Sequence, residues 1–272
     1  MSAPGRTRLL VGVIGLLLII AVTVSAGRWQ LARADEKRAL VARVELGRTL
    51  PPLVLLPALP AADMTEWRHA RARGKWLPDF TVLVENRNHQ GQPGFWVVSP
   101  LQFDPPTASG GSAGASSSAS PGSGEVVAVL RGWTPRALGA MPGVAPVVVR
   151  SPSGVQDIQG ELIAQVPRLL ELSSLSGAAP ASLASRFGAA DGPPRLQNFD
   201  VATYAAATGL KVLPMVLQQT GEADDGLIRD WAPPPNNIDT HLGYAMQWFS
   251  FAAIAVIALG VLLVRRFRSP RR

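Results

Sequence analysis

The chain has 272 residues, 47% hydrophobic and 17% charged, with 26 basic against 19 acidic residues for a formal charge of +7. So much apolar content with so little charge excludes a chain disordered throughout. Cysteine is absent, which excludes disulfide frameworks, cysteine-ligated zinc, iron–sulfur clusters and thiol nucleophiles together.

In chain order, a short basic start (residues 1–8, with Arg6 and Arg8) precedes Leu9–Ala26, which carries no charge. A bilayer core needs about 20 apolar residues of helix, so residues 9–26 are predicted to be a first transmembrane helix. A cleavable signal peptide is the competing reading, because Val24-Ser25-Ala26 closes the apolar run with small residues. Against cleavage, helix-compatible sequence continues through Gly27-Arg28-Trp29-Gln30-Leu31-Ala32-Arg33 to Leu40 and Val44, with no proline before Pro51. Trp29 also stands where an interfacial aromatic belongs.

Residues 27–241 read as one extracytoplasmic α+β domain. Pro51 to Pro60 is a proline-punctuated link. Trp67 to Trp76 alternates polar with small or aromatic residues and predicts a strand. Phe80–Glu85, Phe95–Ser99 and Val126–Leu130 are β-branched runs bounded by Gly, Pro or Asn, and predict three more. Thr107–Gly124, almost all Gly, Ser, Ala, Thr and Pro, is predicted to be a disordered insertion (107–124). Arg131-Gly132-Trp133 is expected to end a central strand, with Gly132 admitting close backbone approach and Trp133 half buried. Val147–Arg150 and Ile158–Ile163 suggest a strand pair, and Pro167–Leu175 a short helix. Asp200–Thr208, opened by an Asp cap and stopped at Gly209, is a stronger helix prediction. Lys211–Gln219 returns as a strand whose Pro214 marks an edge or a bulge. Five to seven strands with one or two helices, joined mostly by short turns, point to a mostly antiparallel sheet.

Leu242–Val264 is a second uncharged run, predicted as transmembrane helix 2 (242–264), followed by a basic tail (265–272) with Arg265, Arg266, Arg268, Arg271 and Arg272. The positive-inside rule puts that tail in the cytoplasm, and two spans return the N-terminus there as well. The expected architecture is a multi-pass protein of the inner (plasma) membrane, with both termini cytoplasmic and two transmembrane helices flanking the α+β domain.

Enzyme signatures are few: no Gly-rich phosphate loop, no Gly-x-Ser-x-Gly elbow and no His-x-x-x-His pair occurs. The chain is therefore read as a non-enzyme. Asp224-Asp225 falls in a Gly221–Gly226 turn and reads as solvated loop, and His69 and His89 read as surface residues. His241 differs by position, immediately before the second span. On a helix His241, Tyr244, Ala245 and Trp248 fall on one face at i, i+3, i+4 and i+7. A neutral imidazole there, over small Ala245 and flanked by flat aromatics, can ligate a haem iron. The competing reading makes Tyr244 and Trp248 an interfacial aromatic belt and His241 a polar helix cap.

Four ordered blocks then resemble the Surfeit locus protein 1 (Shy) family. They are Gly27-x-Trp29-Gln30-x-x-Arg33-x-x-x-Lys37, Gly94-Phe95-Trp96-Val97-Val98-Ser99-Pro100-Leu101, Leu130-Arg131-Gly132-Trp133-Thr134-Pro135-Arg136, and Asn237-x-x-x-His241-Leu242-Gly243-Tyr244-Ala245-x-Gln247-Trp248-Phe249. The insertion and the stretch from Gly154 to Gln197 depart from the pattern. The resemblance implies an assembly factor for haem–copper cytochrome c oxidase that binds haem a and assists its insertion into the catalytic subunit. It implies His241 as the ligand of the haem iron. Tyr244 and Trp248 are taken with it as cofactor-binding residues, and Arg33, with Lys37, is placed to meet haem propionates if the spans pack side by side. Snorkelling at the interface is the alternative for those two cations. The expected partners are the catalytic subunit of the oxidase, haem a synthase as a further candidate, and the lipid bilayer, but not nucleic acid. The alternative function is a membrane-anchored scaffold of the envelope with no cofactor.

Overall fold

The computed structural model describes residues 3–104, 124–136, 149–169, 183–187, 192–233 and 237–268. The expected insertion, except Gly124, therefore lies outside the described residues, as do 147–148, 170–175 and the end of the basic tail. In chain order the helices and strands are α1 (Ala3–Thr49), β1 (Leu53–Leu55), β2 (His69–Trp76), β3 (Val82–His89), β4 (Gln92–Phe103), β5 (Glu125–Pro135), β6 (Val155–Ile163), β7 (Arg195–Leu196), α2 (Val201–Thr208), β8 (Lys211–Gln219) and α3 (Ile238–Arg268). They form two units, one of Met1–Ala42 with Pro233–Arg272 and one of Arg43–Ala232.

In the first unit α1 runs through Ser25-Ala26 without a break, because no proline interrupts it until Pro51-Pro52 restricts the backbone just past Thr49. Both α1 and α3 are long and apolar enough to cross a membrane. Their large aliphatic side chains, such as Leu10, Ile14, Ile254 and Ile257, are exposed. A helix in the core of a soluble protein would bury them. Among the described residues of this unit, what these helices bury is small: Thr23, Gly27 and Ala34 on α1, Ala245, Ala252 and Ala255 on α3. A Cβ added at Gly27 would stand 2.8 Å from the Phe249 ring, so this position tolerates no side chain without a shift. Small residues at such a crossing let two helix backbones approach closely, which is how apolar helices associate when the hydrophobic effect between them is weak. α3 ends in Arg265, Arg266 and Arg268, cations that favour a helix C-terminus.

The second unit is a mixed, barrel-like sheet in the order β1-β2-β6-β8-β5-β4-β3-β7, with β2 also paired to β4. That extra pairing closes β2, β6, β8, β5 and β4 into a ring. Of the pairings among the described residues, β1–β2, β3–β7 and β5–β8 are parallel and the other five antiparallel. β2 shows the alternation its sequence predicts, with Ala70, Ala72 and Trp76 inward and His69, Arg71, Arg73 and Lys75 outward. β5 is buried on both faces: Val127 and Val129 join the core inside the ring, Ala128 and Leu130 join a second core under α2. Pro214 sits at a bulge: Val126 and Ala128 of β5 align with Val212 and Val216 of β8, leaving extra residues between.

The caps predicted for α2 are present. Asp200 accepts from the Thr203 backbone N–H at 2.8 Å and its hydroxyl at 2.7 Å. Gly209 takes the left-handed conformation at φ 71° that ends a helix cheaply. Those hydrogen bonds, the backbone one first, hold the Asp200 carboxyl below its ordinary value. Tyr204 of α2 is buried, donates from its hydroxyl to the Phe80 carbonyl at 2.6 Å, and has its phenol pushed up by burial.

Three local expectations are corrected. Val149 and Arg150 form no strand; β6 finds its partners in β2 and β8 instead. Residues 167–169 are not helical, since the preceding Val166 turns inward to a core that an irregular segment already reaches. His89 is half buried, its ring 5.1 Å from that of Trp133.

Candidate cofactor site

α3 starts at Ile238, so His241 lies inside its first turn and its backbone N–H donates to the Asn237 carbonyl at 3.3 Å. A capping side chain bonds a free amide of its own helix. The His241 side chain instead meets α1: its Nδ1 is 2.8 Å from Oε1 of Gln30. An amide oxygen only accepts, so this contact uses the Nδ1–H of the ring, and in the neutral imidazole that tautomer leaves the lone pair on Nε2. Gln30 follows Gly27 by three residues and precedes Ala34 by four, on the α1 face that carries the buried small residues.

The other predicted residues are placed as follows. Tyr244 is 51% exposed on the same α3 face, while Ala245 is buried. Trp248 is half buried and meets Phe251 edge-on, ring centres 6.0 Å apart. Arg33 is exposed, bonds Glu36 at 2.7 Å, and lies 5.9 Å from the centre of the Trp29 ring. The structure thus joins His241 to α1 through Gln30, and gives Arg33 a carboxylate of its own helix. Gln30 carried no assigned role in the sequence although it stands inside the first matching block, beside Trp29.

A second polar centre lies in the β-rich unit, where sequence reasoning expected a solvated loop. Asp225 is buried: its Oδ2 accepts from Arg131 at 3.0 Å and from Arg229 at 2.5 Å, and its Oδ1 from the Leu227 backbone N–H at 3.2 Å. Arg131 is fully buried, donates further to the Arg150 carbonyl at 2.7 Å and the Ser151 hydroxyl at 2.9 Å, and stacks 4.4 Å from the Trp76 ring centre. Burial lowers the Arg131 guanidinium from its usual value and Asp225 counters it. The segment after Asp225 is sealed onto β5. Trp133 and Ile228 exchange backbone bonds of 2.7 and 2.9 Å, and a Cβ on Gly132 would stand 2.7 Å from Leu227 Cβ. Trp133 is buried, more deeply than its strand-end position suggested, and donates from Nε1 to the Arg87 carbonyl at 2.8 Å. The four-residue spacing of Asp225 and Arg229 was the available signal; Arg131 was out of reach by proximity in sequence.

The profile of the SURF1 family matches residues 17–253, a stretch that holds both polar centres. The chain belongs to the SURF1 family. SURF1-like proteins of Mycobacterium tuberculosis (strain H37Rv) and Mycobacterium bovis are each 25% identical to it over 252 residues, covering 90% of this chain and 79% of theirs. SURF1 is a family of assembly factors rather than of enzymes, and membership supports a general role for this chain in building cytochrome oxidase. Together with the two apolar helices it also supports anchoring in a membrane.

Proposed function

We propose that the chain binds haem a through His241 and assists its insertion into the catalytic subunit of cytochrome c oxidase. The observation that carries this reading is the Gln30–His241 bond. A metal-bound histidine almost always donates its other ring N–H to an acceptor that fixes tautomer and orientation, and His241 meets that requirement with Nδ1. When bound, haem would supply an iron that a neutral imidazole can ligate, and His241 would hold it. His241 contributes the Nε2 lone pair, and Tyr244 and Trp248 contribute flat apolar surface on the same helix face. For Arg33 to hold a propionate it exchanges Glu36 for it. The existing pair is exposed and worth well under about 1 kcal/mol, so this is a small cost.

The site lies on helices fit to span a bilayer, and we place the chain in the inner (plasma) membrane with both termini cytoplasmic and the β-rich unit outside. The arginines after Val264 motivate this. Topology reporters at Ser118 and after Arg272 should then report opposite sides; the same side for both refutes the two-span arrangement. The catalytic subunit is the recipient in this reading and haem a synthase a candidate donor. The deciding experiment is the absorption spectrum of full-length protein purified from cells that make haem a. Wild type should show a Soret band, and His241→Ala should lose or shift it at unchanged protein level. An unchanged spectrum in His241→Ala refutes the ligand, and a wild-type chain with no haem band favours a cofactor-free scaffold.

A further inference from the structure

We propose that Gln30 is the positioning residue of the site: its side-chain carbonyl selects the Nδ1–H tautomer of His241 and so presents Nε2 for ligation. This inference rests on the reading of His241 as the haem ligand. Gln30 and His241 are 211 residues apart, and their 2.8 Å contact exists because α1 and α3 run side by side at a small-residue crossing. Gly27, one turn before Gln30, is the place where a Cβ would strike Phe249, so the backbone separation is set there and Gln30 reaches His241 at hydrogen-bond length. Thr23, Gly27, Gln30 and Ala34 follow one another at spacings of four, three and four along the buried line of α1. Gln30 is the residue of that line with an amide, and its Oε1 is the atom turned to the imidazole.

The acceptor is also neutral, and this matters for a carrier. A carboxylate against Nδ1 makes imidazole a more basic and more tightly held ligand. An amide fixes the same tautomer with less electron donation, which suits a protein that must give up its haem.

The test uses the full-length chain in detergent, purified from cells making haem a, with haem affinity, ferric EPR g-values and reduction potential as readouts. Gln30→Met keeps roughly the volume and removes the acceptor; it should weaken haem binding about 10–100-fold and change the g-values. Gln30→Glu restores an acceptor; it should bind at least as tightly as wild type, move the potential to more negative values, and release haem more slowly. His241→Ala is the reference. If it keeps its haem spectrum, the ligand reading itself fails. If it is empty while Gln30→Met matches wild type in affinity and g-values, only the role of Gln30 fails. Equal loss in Gln30→Met and Gln30→Glu also overturns the proposal, because packing and not the acceptor is then what His241 needs.

Discussion

Each unit brings polar side chains together across the chain, Arg131 with Asp225 in one and Gln30 with His241 in the other, and these two contacts are built to opposite ends. Around Asp225 both carboxylate oxygens are used, two guanidinium groups converge, and Arg131 is sealed from solvent over Trp76. At His241 the acceptor is a neutral amide, the contact is half buried, and one ring nitrogen has no partner among the described residues. A buried charge cannot be left without its counter-charge, so the first arrangement commits its carboxylate to fixing backbone position, with only the buried Nε atoms of Arg131 and Arg229 lacking a hydrogen-bond partner among the described residues of this centre. A contact to an uncharged amide tolerates partial exposure, so the second can orient the ring and, in its neutral form, still leave a lone pair for chemistry. The difference separates a structural centre from a candidate functional one better than the family match does, because both centres lie within the matched residues 17–253.

The sharpest way to break this comparison is Asp225→Ala. It leaves Arg131 and Arg229 without their carboxylate, and removing one member of a buried ionic group costs about 3–5 kcal/mol. Tryptophan fluorescence during denaturant unfolding of the purified chain should show that loss. A cost below about 1 kcal/mol would mean that Asp225 is solvated after all.

Gly27→Leu is next. It forces the α1 backbone away from Phe249, an overpacking cost of about 1–3 kcal/mol. Helix–helix cross-linking through engineered cysteines, clean because the chain has none of its own, should fall and recover when Phe249→Ala is added. No recovery in the double variant would show that the two residues do not meet.

Asp200→Ala removes the α2 cap and should cost about 1 kcal/mol at neutral pH. The Asp200 carboxyl titrates below its ordinary value in the fold. Its contribution is therefore complete above the unfolded carboxylate range, roughly pH 4, and is lost as pH falls through the lower folded value. The stability difference between wild type and variant should shrink on acidification; a pH-independent difference removes the charged cap. The smallest effect belongs to His241→Ala, which deletes one half-buried neutral hydrogen bond and should change thermal unfolding by no more than about 1 kcal/mol. A loss as large as that of Asp225→Ala would make His241 structural.

Much of the architecture was legible because its signals are local. The spans follow from uncharged length, α2 from Asp200 and Gly209, and β2 from alternation between Ala70 and Trp76. The misreadings share one cause. Val147–Arg150 carries β propensity, but its described residues Val149 and Arg150 form no strand, because a strand exists only where a neighbour offers an edge and β2 and β8 take β6. Asp224-Asp225 has the composition of a turn, and a turn it is; Asp225 is buried because Arg131, 94 residues earlier, waits beneath it.

The sequence by itself determined that two apolar helices bracket a β-rich unit, that α2 has its caps, and that His241 stands apart from the other histidines. Those properties depend on residues within one or two turns of each other. Tertiary structure decided that β2 pairs with β4 to close the ring, that Asp225 is buried between two arginines, and that Gln30 reaches His241. Each of these is a contact between groups far apart in the chain, and its free energy arises only once packing has removed water and set the distance.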